Sequence, residues 1–247
     1  MAMPHTPSLL RLAPALAGVC LSSAALAQTC EVRSGPKPPA VVELYTSEGC
    51  SSCPPADRWL STLKTQDGVL ALSFHVNYWN HLGWRDPFAT PETTARQYRL
   101  KEALGGKYVY TPQVVHNGRD HRDWTGQSAR DLQPLPPASA PGLRLSRQGN
   151  VVTAHLAASA AHPKLAGYWA VLQDGLVSRV TRGENAGEQL RHDHVVGLYQ
   201  PVEPWPGAQA HTTQLTVPAG GNPRVAFVVT NPTLTQPLQA LVLQCPT

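Results

Sequence analysis

Apolar and polar positions along this chain keep one rhythm in the first half and another in the second. Val41 to Tyr45 is apolar, β-branched or aromatic apart from Glu43, and Ser47 and Gly49 end the run, so the pattern predicts a short buried strand. Pro54 and Pro55 then offer the fixed φ and missing N–H that suit the first turn of a helix. Trp59, Leu60 and Leu63 fit one face of a helix over Ala56 to Leu63. Asp67-Gly68 marks a turn, and Val69 to Tyr78 predicts a second, central strand, which makes the crossover parallel and right-handed. Thr90-Pro91-Glu92 opens a helix that continues over Thr93 to Leu104 and stops at Gly105-Gly106. Tyr108 to Asn117 returns to strand, with Asn117-Gly118 as a hairpin turn. Pro112 sits inside that strand, which a cis bond after Thr111 reconciles. Asp123 to Leu132 reads as a short helix.

The rhythm changes after the Pro-rich stretch QPLPPASAPG. Short alternating runs follow (LRLS, VVTAHLAA, GYWAVLQ, LVSRVTR, HTTQLTV, RVAFVVT and LQALVLQ), parted by turn residues, and predict an antiparallel sandwich or barrel-like module. The expected division is a signal peptide at 1–27, an α/β domain at 28–137 and a β-rich domain at 138–247.

The signal reading rests on Arg11, the apolar Leu12 to Leu26 and the small-x-small site Ala25-Leu26-Ala27, with Gln28 as the mature start. Its apolar run is short and interrupted by Pro14 and a Ser pair, so no membrane span is expected after cleavage. The formal net charge is +4, 15% of residues are charged, and no basic stripe appears. That profile excludes nucleic-acid binding. The expected location is periplasmic or secreted.

Five cysteines change the picture. Cys20 leaves with the leader. Cys50 and Cys53 form a Cys-x-x-Cys pair between the first strand and the first helix, which places Cys50 exposed at a helix N-terminus. Free N–H groups and the helix dipole favour a thiolate there, and Cys53, one turn on, resolves a mixed disulfide. The alternatives are half of a zinc site, which lacks a second pair of ligands, and a structural disulfide, whose loop is too small to stabilise much. Cys30 and Cys245 remain near the ends, and in an oxidising compartment the simplest pairing joins them; separate thiols are the alternative.

The strand–CSSC–helix unit followed by YTPQVV resembles the thioredoxin superfamily, in which the active-site proline follows a cis bond. The finer pattern VELYTSEGCSSCPPAD, FHVNYWNHLGWRDPF, YTPQVVHNG and RGENAGEQLRHDHVV resembles a secreted bacterial family, domain-of-unknown-function family 1223. The resemblance implies an α/β thioredoxin-like domain with a helical insertion, followed by the β-rich, sandwich-like C-terminal domain. The family pattern carries aspartates where this chain has Asn77 and Asn80, which leaves Glu43 as the buried acid for proton transfer, or as a strand-end acid facing water.

The expected activity is thiol–disulfide exchange in the bacterial envelope. Cys50 is the nucleophile, Cys53 the resolving thiol and Pro112 the cis-proline beside them. Thr111 offers backbone pairing to an extended substrate, and Ser51 and Ser52 donate hydrogen bonds to the thiolate. The cofactor is the redox-active disulfide itself, with no metal, and the partners are protein or small-molecule thiols and disulfides. Two other readings stand beside this one: a carrier of Cu(I) or another soft metal using the dithiol with His75, and a non-catalytic envelope interaction protein. His75 otherwise reads as a packed strand residue. Trp79, Trp84 and Phe88 either frame a groove or pack the inserted segment, and Arg85-Asp86 reads as a local ion pair. His192 and His194 alternate on one strand-like face, two metal donors without a third.

Overall fold

A computed structural model describes Met1 and residues 29–64, 67–218 and 222–246. Apart from Met1, the expected signal peptide lies outside the described residues. The chain opens with β1 (Thr29–Arg33), β2 (Ala40–Thr46), α1 (Pro54–Ser61), β3 (Val69–His75), α2 (Pro91–Ala103) and the pair β4 (Gln113–His116) and β5 (Arg119–Asp120). The rest is strand: β6 (Leu143–Gln148), β7 (Val151–Leu156), β8 (Lys164–Gln173), β9 (Leu176–Arg179), β10 (Gln189–His192), β11 (Val195–Pro206), β12 (His211–Thr216), β13 (Arg224–Thr230) and β14 (Pro237–Leu243).

Eight strands form one mixed sheet in the order β14-β13-β8-β11-β3-β2-β4-β5. β2 and β3 pair in parallel, in register from Ala40↔Val69 to Thr46↔His75, and β2 is buried along its whole length. That burial on both faces is why its sequence is nearly continuous in apolar residues. β11 continues the sheet, parallel to β3 at Val195↔Ser73 and antiparallel to β8. A second sheet, β1-β6-β7-β12, is antiparallel, and β9 and β10 form a separate hairpin.

This architecture corrects the expected fold class. The structure is mostly strand, with two α-helices among the described residues, and no α/β thioredoxin-like domain with a helical insertion forms. Strands from both sides of residue 137 share the large sheet. The element that joins them, β11, escaped the sequence pattern because Pro201, Pro204 and Pro206 break its apolar run. Irregularities between Val196 and Leu198 and between Val202 and Trp205 absorb the lost ladder bonds. β1 pairs with β6 from Thr29↔Gln148 to Arg33↔Arg144. The helix expected over Asp123 to Leu132 is two single 3₁₀ turns, Arg122–Trp124 and Ala129–Asp131.

One face of the large sheet is covered by α1, through Ala56, Trp59, Leu60 and Leu63 on Val42, Leu44 and Ala71. The same face meets the second sheet, where Trp169, Phe227 and Val229 pack on Leu145, Val152 and Leu215. Val41, Tyr45, Phe74 and Tyr168 fill the other face with Leu100 of α2. Each large apolar side chain buried in these clusters contributes about 1.5–3 kcal/mol. α2 begins at a reciprocal cap, Thr93 N–H to Thr90 Oγ1 at 3.1 Å and Thr90 N–H to Thr93 Oγ1 at 3.1 Å, with Pro91 in its first turn. Asn117 and Gly118, at φ 50° and 79°, make the β4–β5 turn, and a Cβ on Gly118 would lie 2.5 Å from the Thr235 carbonyl oxygen.

Candidate functional site

The turn between β2 and α1 carries the cysteine pair. Cys50 and Cys53 are joined as a disulfide with Cα atoms 5.5 Å apart. The helix cap is Cys53, and Cys50 precedes it in a turn in which Cys53 N–H donates to the Cys50 carbonyl at 3.2 Å. Against the expected exposure of Cys50, the residue is 1% exposed and Cys53 0%, whereas Ser51 and Ser52 between them face solvent.

The loop between β9 and β10 is fastened to this turn. Asn185, itself buried, donates from Nδ2 to the carbonyls of Glu48 and Cys50, both at 2.9 Å. Glu184 Oε2 accepts from the Ser51 N–H at 2.9 Å and from its hydroxyl at 2.8 Å. Those two Ser51 donors hold the Glu184 carboxyl below its ordinary range. Four hydrogen bonds of two adjacent side chains therefore strap the loop to the cysteine turn. Ser52 Oγ lies 3.4 Å from Cys50 Sγ.

The Thr111–Pro112 bond is cis. Thr111 Oγ1 accepts from Trp79 Nε1 at 2.7 Å, and a Cβ on Gly49, next to Cys50, would lie 3.0 Å from Trp79 Cβ. Trp79 thus spans from the cysteine turn to the proline loop. Glu43 lies in the core on the α2 side. It pairs with Arg96 and accepts from the hydroxyls of Tyr45 and Tyr168, both at 2.8 Å. The Arg96 guanidinium sits 4.2 Å above the Tyr168 ring and donates to the Leu234 carbonyl at 2.9 Å. Burial opposes the Arg96 charge, and the Glu43 carboxylate more than restores it. These donors occupy Glu43 as the anchor of a buried ion pair.

A second acidic group, missed in the sequence, surrounds the cysteine turn. Glu48 lies two residues before Cys50, and Asp57 lies one helical turn after Cys53, its N–H donating to the Cys53 carbonyl at 3.2 Å. Both are buried, as are His75, Asp86 and His192. Asp86 Oδ2 accepts from the Glu48 N–H at 2.9 Å and meets His75 Nδ1 at 2.8 Å, so that ring nitrogen is the donor. Asp86 therefore pairs with His75 rather than with its neighbour Arg85, which is exposed. Burial raises the Asp86 carboxyl, but His75 and the Glu48 and Phe88 N–H groups lower it below the ordinary value. Glu48 Oε2 accepts from Trp84 Nε1 at 2.8 Å, and its Oε1 lies 3.1 Å from His192 Nε2. Burial pushes His192 down, yet Asp57 and Glu48 lift it to about 9. Phe88 packs edge-on against both imidazoles. His192 and His194 do not act together. His194 sits at φ 59° with its N–H on Asp174, and burial, with Arg224, pushes its ring down to about 4. Asp57 carried a signal in the sequence, as a first-turn acid on an otherwise apolar helical face; Glu184 and Asn185 stood only inside the family-like stretch RGENAGEQLRHDHVV, with nothing local to join them to the cysteine turn.

No curated protein matches the chain. Among solved structures, protein AGR_C_4864 from Agrobacterium tumefaciens superposes with a TM-score of 0.64 at 30% identity, covering 83% of this chain and 93% of that one. HBP35 of Porphyromonas gingivalis shares the fold with a TM-score of 0.58 at 16% identity, covering 85% of this chain and 76% of its own. The family model described as "Protein of unknown function (DUF1223)" matches residues 41–230, which contain the cysteine turn, the strap and the buried His75, His192 and His194. The chain belongs to the DUF1223 family.

Proposed function

We propose that this protein is a thiol–disulfide oxidoreductase of an oxidising compartment, periplasmic or extracellular, working through Cys50 and Cys53. The observation that carries the reading is the place of the disulfide. It sits at the start of α1 in a turn held by a polar strap, with solvent-facing Ser51 and Ser52 between the two cysteines. A structural cross-link needs no removable strap, and a three-residue separation adds little chain-entropy stabilisation. The Cys30–Cys245 disulfide, closing a separation of 215 residues, is the structural one and suits an exported protein. No helix among the described residues is long and apolar enough to cross a membrane.

In the exchange, the strap lifts and a substrate thiolate attacks Cys50 Sγ. The Cys50–Cys53 bond breaks, the new mixed disulfide forms, and Cys53 leaves as a thiolate at the helix start, where the positive end of the helix dipole favours it. A second substrate thiolate then attacks the substrate's own sulfur in the mixed disulfide and expels Cys50 as a thiolate. The substrate dithiol is oxidised by two electrons and the protein disulfide is reduced by two; the reverse sequence reduces a substrate disulfide. Thr111 and Pro112, joined to the cysteine turn through Trp79, line the approach. The test is a disulfide-exchange assay on a dithiol peptide. Cys50→Ala and Cys53→Ala each abolish turnover if the reading holds, and turnover that survives both substitutions sinks it.

A further inference from the structure

Beside the disulfide, three buried donors converge on one point. His75 Nδ1 lies in hydrogen-bond contact with Asp86, and its Nε2 has no hydrogen-bond partner among the described residues. His192 is held likewise, with Nε2 on Glu48 Oε1 and Nδ1 turned toward Asp57 Oδ1, beyond hydrogen-bond distance. Asp57 offers Oδ1, because its Oδ2 already accepts from the Thr46 hydroxyl at 2.9 Å. One ligand atom from each of Asp57, His75 and His192 lies within 4.8 Å of the other two, and Asp57 Oδ1 is 3.6 Å from His192 Nδ1. The three residues are 6%, 0% and 2% exposed.

Buried polar atoms in folded proteins are nearly always paired, so two imidazole nitrogens that meet beside one carboxylate without a close hydrogen bond make a place that a cation would fill. The outer nitrogen of each ring is tied to a carboxylate. That is how proteins fix a histidine tautomer and aim the other nitrogen at a metal ion. Charge points the same way. Glu48, Asp57 and Asp86 are buried together, and among the described residues no Lys or Arg side chain bonds to any of them, so three carboxylates share two imidazoles. Buried charge of this kind is costly unless it is compensated.

We propose that His75 Nε2, His192 Nδ1 and Asp57 Oδ1 bind one divalent transition-metal ion, with Asp86 and Glu48 orienting the two imidazoles. The nitrogen and carboxylate donors suit a borderline ion such as zinc rather than a soft one such as Cu(I). Zinc bonds of 2.0–2.1 Å in tetrahedral geometry set donor atoms about 3.4 Å apart, which the Asp57–His192 edge already approaches. A cavity of about 160 Å³, lined by Pro54, Arg58 and Leu190 together with Asp57 and His192, gives the ion a route in. Three protein ligands leave a fourth position open to a small oxygen or sulfur ligand.

The test is equilibrium dialysis of the chelator-stripped mature protein against zinc, with cobalt(II) as a spectroscopic substitute. The expected result is one zinc per chain, lost in Asp57→Asn and His192→Gln, and weakened about 10–100-fold in Asp86→Asn. Circular dichroism of each variant checks that it is folded. Cys50→Ser/Cys53→Ser keeps full zinc binding, which separates this site from the redox reading. If the Asp57 and His192 variants do not fold, the wild-type cobalt spectrum decides: d–d bands of a four- or five-coordinate ion without thiolate charge transfer support the site. Binding that survives Asp57→Asn and His192→Gln, binding that vanishes with the cysteines, or no stoichiometric zinc at all would overturn it.

Discussion

At the scale of single residues, the same side-chain types take different tasks according to what lies opposite them. Glu43 and Glu48 are both buried, yet Glu43 faces Arg96 and two tyrosine hydroxyls, whereas Glu48 faces a tryptophan N–H and an imidazole. Replacing Arg96 with Met strands the Glu43 carboxylate in the core, and a loss of about 3–5 kcal/mol is expected in urea unfolding. Converting Glu43 to Gln as well restores part of it, because the buried charge is gone. A stability unchanged by Arg96→Met would show that the pair is not the anchor described. Gly167, on β8, is a second such position: a Cβ there would lie 2.7 Å from Phe227 Cζ and 2.9 Å from the Val228 carbonyl oxygen. Gly167→Ala is expected to cost about 1–3 kcal/mol through overpacking, read as a lower urea midpoint with an unchanged slope. Residue identity alone predicted neither effect. The cysteine pair, the Thr111-Pro112 bond and the Asn117-Gly118 turn were legible because their chemistry is local, while Glu48, Asp57 and His192 gain theirs only from one another.

At the scale of elements, the proposed exchange makes the loop between β9 and β10 the gate to the disulfide. Asn185 contributes two of its hydrogen bonds, each worth about 1 kcal/mol net. Asn185→Ala is therefore expected to speed reduction of Cys50–Cys53 by dithiothreitol about tenfold, followed by trapping the freed thiols. An unchanged rate would mean that access does not run through this loop. α1, β2 and β3 were readable from periodicity, since each keeps one rhythm throughout, and α2 from the Thr90-Pro91-Glu92 start and the Gly105-Gly106 stop. β11 was not, because prolines interrupt its pattern while its long pairing with β8 holds it in place. The loss of that one strand from the sequence reading turned a shared sheet into an expected α/β unit with a separate partner.

At the scale of the molecule, the two disulfides divide the work. Cys30–Cys245 ties β1 to the residues after β14, and removing it with Cys30→Ala/Cys245→Ala is expected to cost about 2–5 kcal/mol while leaving exchange at Cys50–Cys53 intact. The zinc site, if loaded, adds stability by mass action and makes the melting temperature depend on free zinc concentration. The central claim is that Cys50–Cys53 cycles in the folded protein, and a redox titration in dithiothreitol buffers, with alkylation and mass spectrometry of the native chain, tests it most directly. The account expects a single two-electron step that labels only Cys50 and Cys53, with a midpoint between about −270 and −120 mV. A disulfide that stays closed below about −300 mV until the chain unfolds would contradict it.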